Sequence, residues 1–182
     1  MAAGWLRRLF AQGSQPESQR DAAARDEAAA VTLVSDDPLS SLLSHAKLTL
    51  GMQLRAKGIT NPKVLHAMLD EVPRERFVIG SMVDRSYEDV TLPIGSGQTI
   101  SRPYIVALMT QLLEPDSAKT VLEIGTGCGY QAAVLSKLFS HVYSIERHSD
   151  LAETAEERLR QLDYTNVSVH FGDGFLGLPA LP

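Results

Sequence analysis

The stretch "LEIGTGCGYQAAVLSKL", Leu122 to Leu138, places Gly125, Gly127 and Gly129 at alternate positions between an apolar run and an Ala/Leu-rich segment. Glycines there let the backbone turn tightly and let a ligand approach without a side chain in the way. Glu123 precedes the turn, Glu146 follows about twenty residues after the loop, and Asp173-Gly174 comes later still. A carboxylate at the end of a second strand can accept both hydroxyls of a ribose. An Asp-Gly pair ending a third strand can border an aromatic base. Each feature also has a plainer reading: a glycine-rich turn, a solvated strand-end charge, a turn dipeptide. A dinucleotide fingerprint, G-x-G-x-x-G, demands glycine at position 130, where this chain has Tyr130.

These residues depend on the elements around them. "TVLEI", "HVYSIE" and "VSVHFGD" read as three short strands, alternating with helices over "YQAAVLSKLF" and "DLAETAEERLRQL". The pattern predicts a βαβαβ unit with a parallel sheet and right-handed crossovers. Upstream, Leu42, Leu43, Ala46, Leu50 and Leu54 recur at helical spacing until Gly58, which predicts a core-facing helix. Asn61-Pro62 is a cap followed by a first-turn proline, and predicts a second helix bearing Val64, Leu65, Met68 and Leu69. "SYEDVTLPIGSGQTIS" reads as a long loop or irregular hairpin turning at Gly95 and Gly97. Pro103 opens a further helix with Ile105, Leu108, Met109 and Leu112.

Composition narrows the function classes. The hydrophobic content of 44% in 182 residues is enough for one packed domain. With 17 Lys and Arg against 22 Asp and Glu, the charge of -5 argues against a nucleic-acid partner. Cys128, the single cysteine, has no internal disulfide partner, and no Cys/His spacing suggests a metal site. No apolar run has the length of a membrane span, so a cytoplasmic protein is expected. Residues 1–37 read as a poorly ordered leader, low in large apolar groups after the opening "MAAGWLRRLF". That opening is either a targeting or surface-binding element or part of the tail. Residues 38–118 then form a helical and substrate-loop region, and 119–182 a cofactor-binding region.

The ordered succession of a G-x-G-x-G loop and two strand-end acids resembles an S-adenosyl-L-methionine site. More specifically, "VPRERFV", "YEDVTLPIGSGQTISRPY", "VLEIGTGCGYQAAVLSKL", "VYSIER" and "NVSVHFGDGF" resemble, in this order, the signature segments of protein-L-isoaspartate O-methyltransferases. The resemblance runs from about His45 to Pro179 and implies a Rossmann-like α/β methyltransferase fold. It implies methyl transfer from S-adenosyl-L-methionine to the carboxylate of L-isoaspartyl residues in damaged proteins or peptides, as a repair reaction. Ser101 then corresponds to the family's active-site serine. Thr99, Ile100, Glu123, Gly125, Thr126, Gly127, Glu146, Asp173 and Gly174 fall at cofactor-binding positions. On position alone Ser101 has a second reading, as the cap of the helix opening at Pro103. Cys128 stands where serine is common, and Arg102 where smaller or neutral residues are usual.

Two other readings stay open. A nicotinamide-dependent oxidoreductase shares the βαβ unit and the acid after the second strand, but the failed third glycine speaks against it. A non-catalytic fragment or interaction module follows from the family's length: the resemblance implies further strands after "GLPALP". The chain is therefore expected to be truncated, with an incomplete sheet of order 3-2-1, "TVLEI" at its edge and weak or no turnover. No oligomeric state is assigned.

Overall fold

The computed structural model describes residues 37–178. The expected leader, apart from Asp37, lies outside them. Helix α1 runs Pro38–Ala56. Its core face is Leu43, Ala46, Leu50 and Leu54, while Leu42, expected inside, is 50% exposed, one position off that stripe. Gly58 ends the turn in the left-handed region at φ +90°. Helix α2, Pro62–His66, is capped as predicted: the Asn61 side chain accepts from the amides of Lys63 and Val64. It then widens into a π-helical turn over Ala67–Glu71. Pro73 disfavours helical geometry at Val72, whose amide closes on the Ala67 carbonyl five residues back.

The segment after a short 3-10 turn at Arg74–Arg76 leads to the irregular hairpin, β1 Leu92–Gly95 and β2 Gln98–Ile100, antiparallel with a register shift between Pro93 and Gly95. Helix α3, Pro103–Leu112, buries Pro103, Val106, Ala107 and Thr110. The apolar stripe read from its sequence is displaced: Met109 and Leu112 are exposed, because that side faces an open cavity.

The alternating unit forms as expected, with β3 Thr120–Ile124, α4 Tyr130–Ser136, β4 His141–Glu146, α5 Ser149–Gln161 and β5 Val167–Phe171. All three strands are parallel, in the order β3-β4-β5, so β3 is an edge among the described residues. Val121 packs on the core, whereas Leu122 and Ile124 are 47% and 57% exposed. One hydrophobic cluster joins α1, α2 and α3 to α4 and the sheet. Among the described residues no helix is long and apolar enough to cross a membrane.

Asn61 satisfies two first-turn amides that have no other partner within α2. Asn61→Ala should therefore lower stability by about 1 kcal/mol. The check is the urea midpoint at unchanged slope; an unmoved midpoint would show that the cap adds nothing.

Candidate active site

The in-register pairing of β3 with β4 brings Glu123 opposite Ser144. Glu146 lies two residues further along the same face of β4. Between them the chain turns through Gly125, Gly127 and Gly129, all with positive φ. The Gly125 amide donates to the Ile145 carbonyl at 2.7 Å, which holds the loop against the end of β4.

Glu146 is not a solvated charge. It is 5% exposed; its Oε2 accepts from the Gly127 amide at 2.8 Å and its Oε1 from the His148 amide at 3.0 Å. A carboxylate offers about four lone-pair sites, so capacity for further donors remains. Glu123, 9% exposed, accepts from the Ser144 hydroxyl, which is in turn hydrogen-bonded to Thr126 Oγ1 at 2.6 Å. Burial pushes the Glu123 carboxyl up to about 8; the Ser144 hydroxyl opposes this and the negative charge of Glu146 adds to it. Among the described residues neither glutamate has an ion-pair partner.

Two cavities meet at the glycine loop. One, of about 350 Å³, is lined by Glu146, His148, Asp173 and Gly174. The other, of about 530 Å³, is lined by Ile100, Ser101, Glu123, Thr126 and the exposed side of α3. Thr99, Ile124, Gly125 and Gly127 border both. A Cβ built on Gly125 would meet nothing within 4 Å, so the bare backbone faces open space. At Gly174 the opposite holds, since a Cβ would lie 2.3 Å from Ile124 Cγ2. Asp173 also keeps its turn role, its Oδ1 accepting from the Phe175 amide.

All ten residues singled out in the sequence thus border these cavities. Ser101 does not cap α3: its hydroxyl has no hydrogen-bond partner among the described residues. The Tyr104 amide is capped instead by Asp89 Oδ1 at 2.9 Å. Arg102 is committed to the same carboxylate, with Lys57 on its other side. Burial works the other way, yet hydrogen bonds from Arg102, Lys57 and the Tyr104 amide hold the Asp89 carboxyl well below its usual range. Cys128 is buried, and burial raises its thiol pKa, as suits an inert packing residue.

Three residues escaped the sequence reading. Ser144 carried a weak signal, as a hydroxyl inside an otherwise apolar strand. Asp89 carried none within a polar loop. Arg74, fully buried, donates from Nε to the Ser86 carbonyl at 2.7 Å and from Nη2 to the Ser101 carbonyl at 2.8 Å.

A parallel sheet with a left-handed glycine loop after its first strand and a buried acid ending its second defines a Rossmann-like methyltransferase fold. Solved structures agree. A chain described as protein-L-isoaspartate O-methyltransferase superposes with a TM-score of 0.62 at 32% identity, over 73% of this chain and 44% of its own. A Plasmodium falciparum chain, described as a beta-aspartate methyltransferase in complex with S-adenosyl-L-homocysteine, shares the fold with a TM-score of 0.56 at 22% identity, over 68% of this chain and 62% of its own. Residues 45–182 match the family described as Protein-L-isoaspartate(D-aspartate) O-methyltransferase. The chain belongs to that family. It is 51% identical to Protein-L-isoaspartate O-methyltransferase 1 of Geotalea uraniireducens over 78% of this chain, and 55% identical to the Yersinia enterocolitica enzyme over 71%. It spans 64% and 62% of the length of these two relatives.

The raised Glu123 pKa has a stability consequence. Between its ordinary value of 4.5 and about 8 the folded chain binds a proton that the unfolded chain has released. The stability from this group is then fully present below 4.5 and is lost as pH rises through about 8. Without ligand, thermal melts from pH 5 to about 8.5 should show a decline that is shallower in Glu123→Gln. Identical slopes in both proteins would mean that another group titrates.

Proposed function

We propose that the chain transfers a methyl group from S-adenosyl-L-methionine to the carboxylate of L-isoaspartyl residues in proteins or peptides. The observation that carries this reading is a pair of buried glutamates with no ion-pair partner among the described residues, one in each of two cavities that share a glycine loop. Such an arrangement favours a ligand that is cationic at one end and carries hydroxyls at the other. S-adenosyl-L-methionine has both features, and when bound it supplies an electrophilic methyl group on a sulfonium with a good leaving group. The bare Gly125 backbone leaves room for it.

Each residue then has a task. Glu146 accepts ribose hydroxyls with the lone pairs left by its two amide bonds. Asp173 and Gly174 border the base, Gly125, Thr126 and Gly127 form the floor, and Thr99 and Ile100 close the side toward the hairpin. Glu123 faces the cationic end of the ligand. Ser101, whose hydroxyl is unengaged in the larger cavity, donates to the substrate carboxylate and orients it. A carboxylate is already anionic at neutral pH, so alignment and exclusion of water suffice and no strong base is required. Val106, Met109, Leu112 and Leu122 give that cavity an apolar wall, which a bound substrate would cover. Isoaspartyl proteins or peptides are the proposed partners, not nucleic acid, and the proposed location is the cytoplasm, consistent with the lone buried cysteine.

The direct test incubates the chain with an isoaspartyl peptide, its normal aspartyl counterpart and methyl-labelled cofactor. Label should enter only the isoaspartyl peptide, even where turnover is weak; equal labelling of both, or no binding of S-adenosylhomocysteine, would remove the assignment. Ser101→Ala should lower kcat by about 10 to 100-fold with cofactor affinity nearly unchanged. Glu146→Ala should instead weaken S-adenosylhomocysteine binding by roughly 1.5 to 3 kcal/mol, read by calorimetry. Unaltered affinity in that variant would confine Glu146 to holding the loop.

A further inference from the structure

Arg74 combines properties that core packing alone does not require. It is fully buried, and among the described residues its guanidinium meets no carboxylate. Nε and Nη2 donate to two backbone carbonyls distant in sequence, Ser86 and Ser101, while Nη1 is buried with no hydrogen-bond partner among the described residues. Its guanidinium carbon lies 4.6 Å from the centroid of the Tyr130 ring, the first residue of α4 after the glycine loop. Its own amide donates to the Tyr87 hydroxyl at 3.2 Å, and Tyr87 donates to Glu75. The same side chain therefore touches the backbone of Ser101 and the residue that closes the glycine loop. A buried cation is costly, and burial lowers its pKa here. A hydrophobic residue of similar volume would pack at less cost but would join neither carbonyl.

We propose that Arg74 is a positioning residue for methyl transfer, fixing the Ser101 backbone at a set distance from the glycine loop. The inference rests on the reading of Ser101 as the group that orients the substrate carboxylate. Arg74 acts through Ser101 and touches no substrate. Guanidinium geometry is what the task needs: the planar fork reaches two carbonyls in fixed directions while its face stacks on a ring. Lysine keeps the charge and the attraction to Tyr130, but its single ammonium cannot hold both carbonyls in that geometry.

The test compares Arg74→Lys, Ser101→Ala and the double variant in the full chain, with circular dichroism and S-adenosylhomocysteine titration as controls. Arg74→Lys should lower kcat about tenfold with KM for the isoaspartyl peptide and affinity for S-adenosylhomocysteine held within about twofold. In the Ser101→Ala background the same change should cost almost nothing further, because the group it positions is gone. Tyr87→Phe, which removes the acceptor of the Arg74 amide together with the hydroxyl's bond to Glu75 and leaves the guanidinium contacts in place, should give a smaller fall in kcat with the same constant KM. If Ser101→Ala lowers kcat while Arg74→Lys does not, this inference fails and the role of Ser101 stands. If Ser101→Ala keeps full activity, the reading of Ser101 fails and this inference with it. Losses that multiply in the double variant, or a fall in fold and cofactor binding together in Arg74→Lys, would assign Arg74 to the core and overturn the proposal.

Discussion

Burying Glu123 and Glu146 without a cation is the constraint around which the site is organised. An isolated carboxylate in a low-dielectric interior is strongly disfavoured, and hydrogen-bond donors only partly replace water. The chain meets the two cases differently. Glu146 takes two backbone amides, one from the glycine loop and one from the turn into α5. Glu123 takes a hydroxyl, which itself rests on Thr126, and its pKa is raised. The left-handed glycines are the geometric condition for this arrangement. They let the loop double back so that the Gly127 amide reaches the strand-end carboxylate and the Gly125 amide reaches the carbonyl of Ile145.

Arg74 is the complementary case, a buried cation held by carbonyl dipoles and a ring face rather than by either glutamate. Keeping the opposite charges apart preserves the electrostatic demand at the glycine loop. A direct Arg74–Glu123 pair would satisfy both groups and leave nothing for a cationic ligand to relieve. The Asp89 clamp works by the opposite logic, with one carboxylate between Lys57 and Arg102 and above the first turn of α3. It ties the loop before the hairpin to α1 and to the helix that follows Ser101. Arg102, a departure from the family pattern, thus has a structural partner.

What the sequence made legible was local or periodic. The Asn61 cap depends on atoms two and three residues away, and the βαβαβ unit on apolar alternation, so both could be read directly. Periodicity does not distinguish a core from a cavity wall, so the recurrence of Met109 and Leu112 on α3 carries no sign that they face open space. On α1 the same ambiguity misplaced only Leu42. The acids at the strand ends were visible as types, but their burial was not, since it follows from α4, α5 and the hairpin closing over them. Arg74 was illegible in principle: its acceptors lie 12 and 27 residues away, and neither presents a side chain to pair with.

The hairpin links the two cavities to the rest of the fold. A Cβ on Gly127 would lie 3.3 Å from Ile94 Cδ1, so β1 packs directly on the glycine loop. At the tip, Ser96 donates to Asp150 in the first turn of α5. At the far end, Ser101 is held by Arg74 and followed by the Asp89 clamp. The segment is therefore fixed to the glycine loop in its middle, to the helix beyond the second strand at its turn, and to Arg74 and Asp89 at its end. Three attachments on three different elements leave little freedom for the Ser101 end to move without disturbing the wall that Thr99 and Ile94 lend to the smaller cavity.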